Sequence, residues 1–262
     1  MQRHIIHLHQ TDSTNRYLRE LHEQREDGFS SPTNHPVSPC EGSGEGMTVV
    51  VADYQTAGRG QGTNSWESED GKNLLMSVRI SLSSFPANRQ FVLSEAGALA
   101  VGRALGLYTG GITLKWPNDI YWRDYKISGT LIETAVGGGG LRSCLFGIGI
   151  NVNQQVFLSD APNPVSLFQI LGHEVPVEEV MEAVLDALDE ELTAVLHGAA
   201  GETRERYHAS LYRRQGFHAY RDARGLFEAE ILEVEDDGHL ILRDRKGCVR
   251  SYAFKEVEFI IS

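Results

Sequence analysis

Three stretches of this sequence carry side chains suited to holding an anion. The first runs from Asp53 to Trp66 and reads D-Y-Q-T-A-G-R-G-Q-G-T-N-S-W. An apolar run, Met47 to Val51, feeds straight into it. Gly58, Gly60 and Gly62 let the backbone turn with positive φ and expose its N–H groups. Between two of them Arg59 offers a planar fork of donors to a carboxylate or a phosphate. Gln55, Gln61 and Asn64 add amides, and Trp66 can stack on a base or close the core of the loop. The second stretch is Lys115-Trp116-Pro117-Asn118-Asp119, where an amide and a carboxylate stand at a corner set by Pro117. That pair reads either as an Asn-Asp turn or as a carboxylate meeting Mg²⁺ beside a phosphate. The third is Lys126, which begins an otherwise apolar strand and reads either as solvated surface or as a point charge directed inward.

No nucleophile accompanies these charges. Ser143 and Cys144 lack an adjacent acid or base, and there is no G-x-S-x-G. There is no G-x-x-x-x-G-K-[ST], and Gly58 to Thr63 is not G-x-G-x-x-G, which excludes the common nucleotide loops. His7 and His9 share a strand face but make a poor metal pair. One arginine, one lysine, amides and a carboxylate suit transfer of a carboxylate onto a phosphate, where positioning and electrostatics dominate. Two further strings fit such a site. Asp12-Ser13-Thr14-Asn15 offers hydroxyls and an amide at a helix start, compatible with capping and with ligand contact. Gly147-Ile148-Gly149-Ile150-Asn151-Val152-Asn153 is a strand with two glycines, a mark of close approach by ligand or backbone.

The positioning elements follow from periodicity. Strands are expected at Ile5–Leu8, Met47–Tyr54, Leu74–Leu82, Ile112–Trp116, Asp119–Trp122, Lys126–Thr134 and Leu141–Val152. The Val49-Val50-Val51 run predicts burial on both faces. Helices are expected at Thr14–Gln24, Arg89–Leu107, Asn163–Leu171, from Pro176 through Leu196, and Glu202–Arg214. Small residues such as Ala96, Gly97, Ala100 and Ala104 let the second of these lie close on a sheet. Residues 27–46 shift to Ser, Pro, Gly, Asn and acid, and read as a mobile surface loop. From Phe217 onward the pattern is short strands with polar turns, enough for a small SH3-like β barrel. The expected fold is therefore α+β: a mixed or largely antiparallel sheet with flanking helices in residues 1–215, and a small β domain in 216–262.

Composition bounds the function. With 41% hydrophobic and 23% charged residues, the 262-residue chain is an ordinary globular protein. A formal net charge of −12 argues against non-specific nucleic-acid binding. Three scattered cysteines (Cys40, Cys144, Cys248) exclude a disulfide framework or a zinc site and suit a reducing cytoplasm. No apolar stretch reaches the ~18 residues of a membrane span.

Taken in order, the strings D-S-T-N (12–15), Q-T-A-G-R-G (55–60), N-S-W (64–66), K-W-P-N-D (115–119), K-I-S-G (126–129) and G-I-G-I-N-V-N (147–153) resemble the biotin protein ligases over nearly the whole chain. Six in order are specific where each alone is modest. The resemblance implies a fold related to class II aminoacyl-tRNA synthetase and lipoate ligase cores. It implies ATP-dependent activation of biotin as biotinyl-5′-AMP, then transfer to a lysine of a biotin carboxyl carrier protein of the acetyl-CoA carboxylase type. It places Ser13, Thr14, Asn15 and Gln55 at biotin. Arg59, with the backbone of Gly58, Gly60 and Gln61, is placed at the biotin carboxylate and phosphates. Lys126 falls at the reacting groups, Trp66 on adenine, Asn118 and Asn151 at the nucleotide, and Asp119 at Mg²⁺. Gly129, Gly147 and Gly149 are to admit the ligand to the sheet. Family members occur as monomers and dimers. Two departures carry expectations. Gln61 replaces a second arginine and Thr63 a third glycine, which predicts looser retention of biotinyl-AMP. The ligase strings begin at Asp12, which predicts a ligase without a DNA-binding domain.

Overall fold

A computed structural model describes residues 1–26, 46–60, 62, 64–159 and 161–261. The expected loop over 27–46 lies outside them except for Gly46, as do Gln61, Thr63 and Cys40. Seven strands form the large sheet: β1 (Gln2–Thr11), β2 (Gly46–Gln55), β3 (Leu74–Phe85), β4 (Ile112–Lys115), β5 (Asp119–Trp122), β6 (Tyr125–Gly137) and β7 (Gly140–Ile150). Their order is β1-β2-β3-β7-β6-β5-β4. β1 and β2 run parallel and every other neighbour pair is antiparallel. The mixed α+β architecture expected from the chain is the one observed.

The valine run of β2 shows why the sheet is covered on both faces. Side chains alternate across a strand. Val49 and Val51 enter the main core, while Val50 packs on the other face with Leu18 and Leu145. Leu18 belongs to helix α1 (Thr14–Glu26), which covers that second face. The first face carries α2 (Phe91–Gly106), α4 (Val177–Leu196) and α5 (Ala200–Ala209). The small residues of α2 do what small residues permit: a Cβ on Gly97 would come within 3.0 Å of the Phe146 ring on β7.

Two helices are shorter than their periodicity predicts, each because a strand claims the backbone. α3 occupies only Leu167–Leu171, started by a capping box between Ser166 and Gln169. The preceding residues lie extended beside β6, with Lys126 N–H donating to Asn163 O (2.7 Å) and Val165 N–H to Lys126 O (2.9 Å). α5 ends at Ala209 instead of reaching Arg214. Leu114 on edge strand β4 donates to Ser210 O (2.9 Å) and accepts from Tyr212 N–H (2.8 Å). The open hydrogen-bond row of an edge strand thus captures the end of the helical pattern.

The second sheet holds β8 (His218–Asp222), β9 (Gly225–Val234), β10 (Leu240–Asp244), β11 (Val249–Tyr252) and β12 (Glu258–Phe259). All pairs are antiparallel, in the order β11-β10-β9-β8-β12. Among the described residues no pairing joins β11 to β12. It docks on the large sheet through aromatic contacts, Tyr212 with Phe259 and Trp116 with Phe254, at ring separations of 6.3 and 6.4 Å. Arg213 adds hydrogen bonds to Ala219 O and Ile260 O. Among the described residues no helix is long and apolar enough to cross a membrane.

Candidate active site

The parallel pairing of β1 and β2 brings two of the sequence strings together. Both strands end at the same edge of the sheet, where ligand sites of α/β structures commonly form. Beyond the strand ends Thr56 N–H donates to Thr11 O (2.9 Å) and Ala57 N–H to Asp12 O (3.0 Å). The Asp12–Asn15 string and the glycine loop therefore lie side by side. Together with residues from β3, β5, β6 and β7 they line one cleft of about 190 Å³.

One end of this cleft is polar and uncharged. Gln55 Oε1 accepts from Thr14 N–H (2.8 Å) and Thr14 Oγ1 (3.1 Å), so this amide caps the first turn of α1. Ser77 on β3, fully buried, sets its Oγ 2.7 Å from Thr14 Oγ1 and 2.5 Å from Asn15 Oδ1. Its single proton serves one of them at a time. Asn15 Nδ2 is buried without a hydrogen-bond partner among the described residues. A buried amide donor left open is costly unless something accepts from it. Gly147 is required here by space: a Cβ would stand 2.2 Å from Asn15 Oδ1.

The other end is charged. The glycine loop folds back on itself through an Arg59–Ser65 bridge, Gly60 N–H to Asn64 O (2.7 Å) and Trp66 N–H to Gly58 O (3.0 Å). Gly62 turns it at φ 70°. Arg59 is exposed at the rim and forms no salt bridge among the described residues. Lys126 reaches Asp119 Oδ1 at 2.7 Å, and its Nζ lies 5.8 Å from the Trp66 ring centre. Its charge points into the cleft, one of the two orientations that the sequence leaves open. Lys115 is half-buried between Tyr121 and Phe259, with Nζ 5.3 and 4.9 Å from their ring centres. Burial, with some repulsion from Lys126 and Arg213, lowers its pKa despite the attraction of Asp119. Three cations and a single carboxylate thus line the cleft among the described residues.

Of the residues expected at a site, Ser13, Thr14, Asn15, Gln55, Arg59, Gly60, Trp66, Asn118, Asp119, Lys126, Gly129, Gly147 and Gly149 line this one cleft. Three expectations change in detail. Asn151 does not line it: its Nδ2 donates to Val165 O (3.1 Å) and its N–H to Ile127 O (2.9 Å), which clasps the loop after β7. Asn153 clasps Val175 in the same way, donating to its carbonyl and accepting from its N–H. Gly58 is packed against the loop itself, since a Cβ there would meet Trp66 O at 2.6 Å. Gly149 and Gly129 face the Trp66 indole, which a Cβ would approach to 2.6 and 3.2 Å. Gly147 faces the Asn15 amide. These glycines admit side chains of the site. Gln61 lies outside the described residues.

Ser77, Lys115 and Phe254 also line the site or support it, and no role at the site was expected of them. Ser77 had a signal, a hydroxyl between Met76 and Val78 in the apolar start of β3. Lys115 had one too, standing at the head of the K-W-P-N-D string. Phe254 had none, because the second sheet brings it. For a metal, Asp119 supplies one carboxylate already paired with Lys126. Among the described residues the one group of three His, Cys, Asp or Glu donors within 4.8 Å is Glu235, Asp237 and His239, away from the cleft. Among the described residues Asp119 is thus the one carboxylate in the cleft that could meet a cation carried by a phosphate chain.

A family model described as the Biotin/lipoate A/B protein ligase family matches residues 41–151, which include the glycine loop, the K-W-P-N-D corner and Lys126. The class is thus one of protein ligases. A biotin–[acetyl-CoA-carboxylase] ligase of Paracoccus denitrificans is 30% identical over 216 residues, covering 77% of this chain and 86% of that protein. The bifunctional ligase/repressor BirA of Bacillus subtilis is 32% identical over 213 residues, 79% of this chain and 64% of that protein. The match therefore spans just under two thirds of the length of BirA. Among solved structures, the biotin protein ligase from Aquifex aeolicus in complex with biotin and ATP has the same fold. Its TM-score is 0.74 at 24% identity, with 98% of this chain and 99% of that chain covered. The chain belongs to the biotin protein ligase family.

Proposed function

We propose that this chain joins biotin to ATP, forming biotinyl-5′-AMP and pyrophosphate, and passes the biotinyl group to a lysine of a biotin carboxyl carrier protein of the acetyl-CoA carboxylase type. The observation that carries this reading is the division of one cleft into an uncharged hydrogen-bonding end and a cationic end. A ureido ring is neutral and offers both donors and an acceptor. Thr14, Asn15, Gln55 and the adjacent Ser13 match it with hydroxyls and amides. A biotin carboxylate and a triphosphate are anions, and Arg59, Lys115 and Lys126 meet them at the far end.

In the first step a carboxylate oxygen attacks the α-phosphorus, the new O–P bond forms, and the bond to pyrophosphate breaks. Lys126, held by Asp119, neutralises charge that builds on the α-phosphate. Arg59 holds the carboxylate in line. Asp119 would hold a Mg²⁺ carried in on the phosphate chain, which would supply charge withdrawal from the leaving pyrophosphate. In the second step a neutral lysine amine attacks the acyl carbon. The C–N bond forms, the C–O bond to phosphate breaks, AMP leaves with the electron pair, and the amine proton goes to solvent. No enzyme nucleophile is needed, in keeping with the sequence.

A lipoate or octanoate ligase is the rival enzyme, since the family description spans both acids. The four polar groups at the neutral end favour the ureido ring over a dithiolane. A non-catalytic biotin-binding regulator is disfavoured by the pair of charges Arg59 and Lys126 beside the phosphates. Pyrophosphate release with Mg-ATP decides among them: dependence on biotin supports the proposal, dependence on lipoate replaces the substrate, and neither leaves the regulator.

A further inference from the structure

Two carboxylates lie inside the helical layer, and the fold treats them oppositely. Glu191 on α4 is 1% exposed and accepts three hydrogen bonds, one from Arg103 (2.8 Å) and two from Arg206 (2.6 Å each). Despite its burial, the bonds from Arg206 and Arg103 lower its pKa. Glu95 on α2 is 0% exposed, and neither of its oxygens has a hydrogen-bond partner among the described residues. Arg204 on α5 brings its Nε to 3.8 Å from Glu95 Oε1, and that Nε is itself without a hydrogen bond among the described residues. The buried Tyr207 hydroxyl, also unpartnered among the described residues, lies within range of the Glu95 charge. Four polar atoms on facing helices are thus buried beside one another with their hydrogen bonds unmade, which is costly for a charged group and far less so for a protonated one.

Arg204 has a second claimant. Its Nη1 is bonded to Asp236, an exposed residue of the β9–β10 turn. One guanidinium therefore stands between a buried carboxylate and an exposed one. Burial raises the Glu95 pKa to about 7, against the pull of Arg204 and with help from the charge of Asp236. His208, next on α5, is a separate group: burial lowers its pKa below the ordinary histidine value, and its Nε2 meets the Val234 backbone. The turn that Arg204 holds is seated on α2 and on the K-W-P-N-D corner. The Phe91 ring, one helical turn before Glu95, lies under Gly238, where a Cβ would come within 2.6 Å of it. Trp116 Nε1 donates to Gly238 O (2.9 Å).

We propose that Glu95 is a proton-operated latch on the second sheet: with its carboxyl protonated, Arg204 is given wholly to Asp236 and the β9–β10 turn is held; once the proton passes to solvent, the buried carboxylate draws Arg204 inward and the turn is released. The inference stands apart from the reaction proposed above. A carboxylate inside the layer attracts the guanidinium more strongly than one screened by water, so ionised Glu95 wins the competition with Asp236. Glu191 cannot act in this way, because its two arginines hold it ionised. The sign of the pH effect follows from the two states. The unfolded chain ionises Glu95 near its ordinary value of 4.5, and the folded chain only near 7. The stability contributed by the protonated form is therefore full below the first value and lost as pH rises through the second.

Two measurements on the full chain test this, comparing wild type with Glu95→Gln, which keeps the shape of the protonated carboxyl. The first is urea unfolding across the acid-to-alkaline range. The ratio of the Glu95→Gln folding constant to that of wild type should grow by up to about tenfold per pH unit toward neutrality and level off above it. The second is hydrogen exchange at the backbone amides of 235–239 and at the Trp116 indole N–H, corrected for the intrinsic rate. Opening of the turn in wild type should rise by about tenfold or more across neutral pH and stay flat in Glu95→Gln. Asp236→Asn, at an exposed position, tests the latch without touching the core: it should open the turn at every pH and move the stability transition to lower pH. A stability ratio that does not change with pH overturns the proposal, as does a transition unmoved by Asp236→Asn. Turn opening that rises equally in wild type and Glu95→Gln also overturns it and assigns the titration to His208 or another group. A stability transition with no change at the turn would leave Glu95 a buried acid and remove the latch.

Discussion

The two ends of the cleft are built on opposite principles. At the neutral end a chain of hydrogen bonds links Gln55 to Thr14, Thr14 to Ser77 and Ser77 to Asn15, and leaves the Asn15 Nδ2 donor open among the described residues. At the charged end only Lys126 and Asp119 are paired; Arg59 has no ion-pair partner among the described residues, and Lys115 rests on aromatic faces. The first arrangement fixes geometry, which suits recognition of an unchanging ring. The second leaves positive charge uncompensated, which suits a group whose negative charge grows during reaction. The comparison predicts that damage at the neutral end appears in KM for biotin and damage at the charged end in kcat.

The largest effect belongs to Lys126→Met. On the proposed mechanism, loss of the Lys126 charge should lower kcat for biotin-dependent pyrophosphate release by about 10²–10³-fold, with KM for biotin nearly unchanged. A pure KM effect would break the division of labour between the two ends. Next comes Gly147→Ala, whose methyl would stand 2.2 Å from Asn15 Oδ1 and must push that amide away. A rise of about tenfold or more in KM for biotin, read by isothermal titration or steady-state kinetics, is expected from a misplaced hydrogen-bonding group. Ser77→Ala removes the hydroxyl between Thr14 and Asn15 without adding bulk. It should raise the same KM by about fivefold, through the loss of roughly one hydrogen bond, and Ser77→Thr should restore part of it only if the methyl is accommodated.

The smallest effect is in pH. Burial lowers the pKa of Lys115 below that of a free lysine. As pH rises, this amine therefore loses its proton before an exposed lysine does, and the charged end loses a cation. KM for ATP should climb severalfold on the alkaline side, while KM for biotin stays flat. Lys115→Arg, which cannot deprotonate in this range, should remove that limb. An unchanged limb in this variant would assign the titration elsewhere.

The legibility of these two ends differs as well. The charged end was readable because its residues are rare types in compact strings: an arginine between glycines, a lysine–asparagine–aspartate corner, a lysine opening a strand. Such types carry their chemistry in the side chain alone. The neutral end was half readable. Asp12 to Asn15 and Gln55 stood out, but Ser77 sits in β3, 62 residues away from its partner Asn15. Asn151 stands in a glycine-rich string that reads as a ligand contact, and only the fold shows that its Nδ2 also donates to Val165 O. The helix ends at Asn163 and Arg214 were misjudged because the hydrogen bonds that unwind them come from Lys126 and Leu114, distant in the chain.

By itself the sequence determined the α+β class, the strand and helix order, both-face burial of the valine run, and the turning of the glycine loop at Gly62. These follow from local periodicity and from backbone and side-chain chemistry that no partner can change. Tertiary structure decided what depends on distance. The parallel pairing of β1 with β2 set the two loops side by side. Trp66 was laid over Gly149, Lys115 was sandwiched between Tyr121 and Phe259, and the second sheet was swung so that Phe254 borders the cleft. Each of these places a group in a low-dielectric or crowded setting made by residues far away in the chain. Such settings shift charges and limit space, and they come into being only when the chain folds.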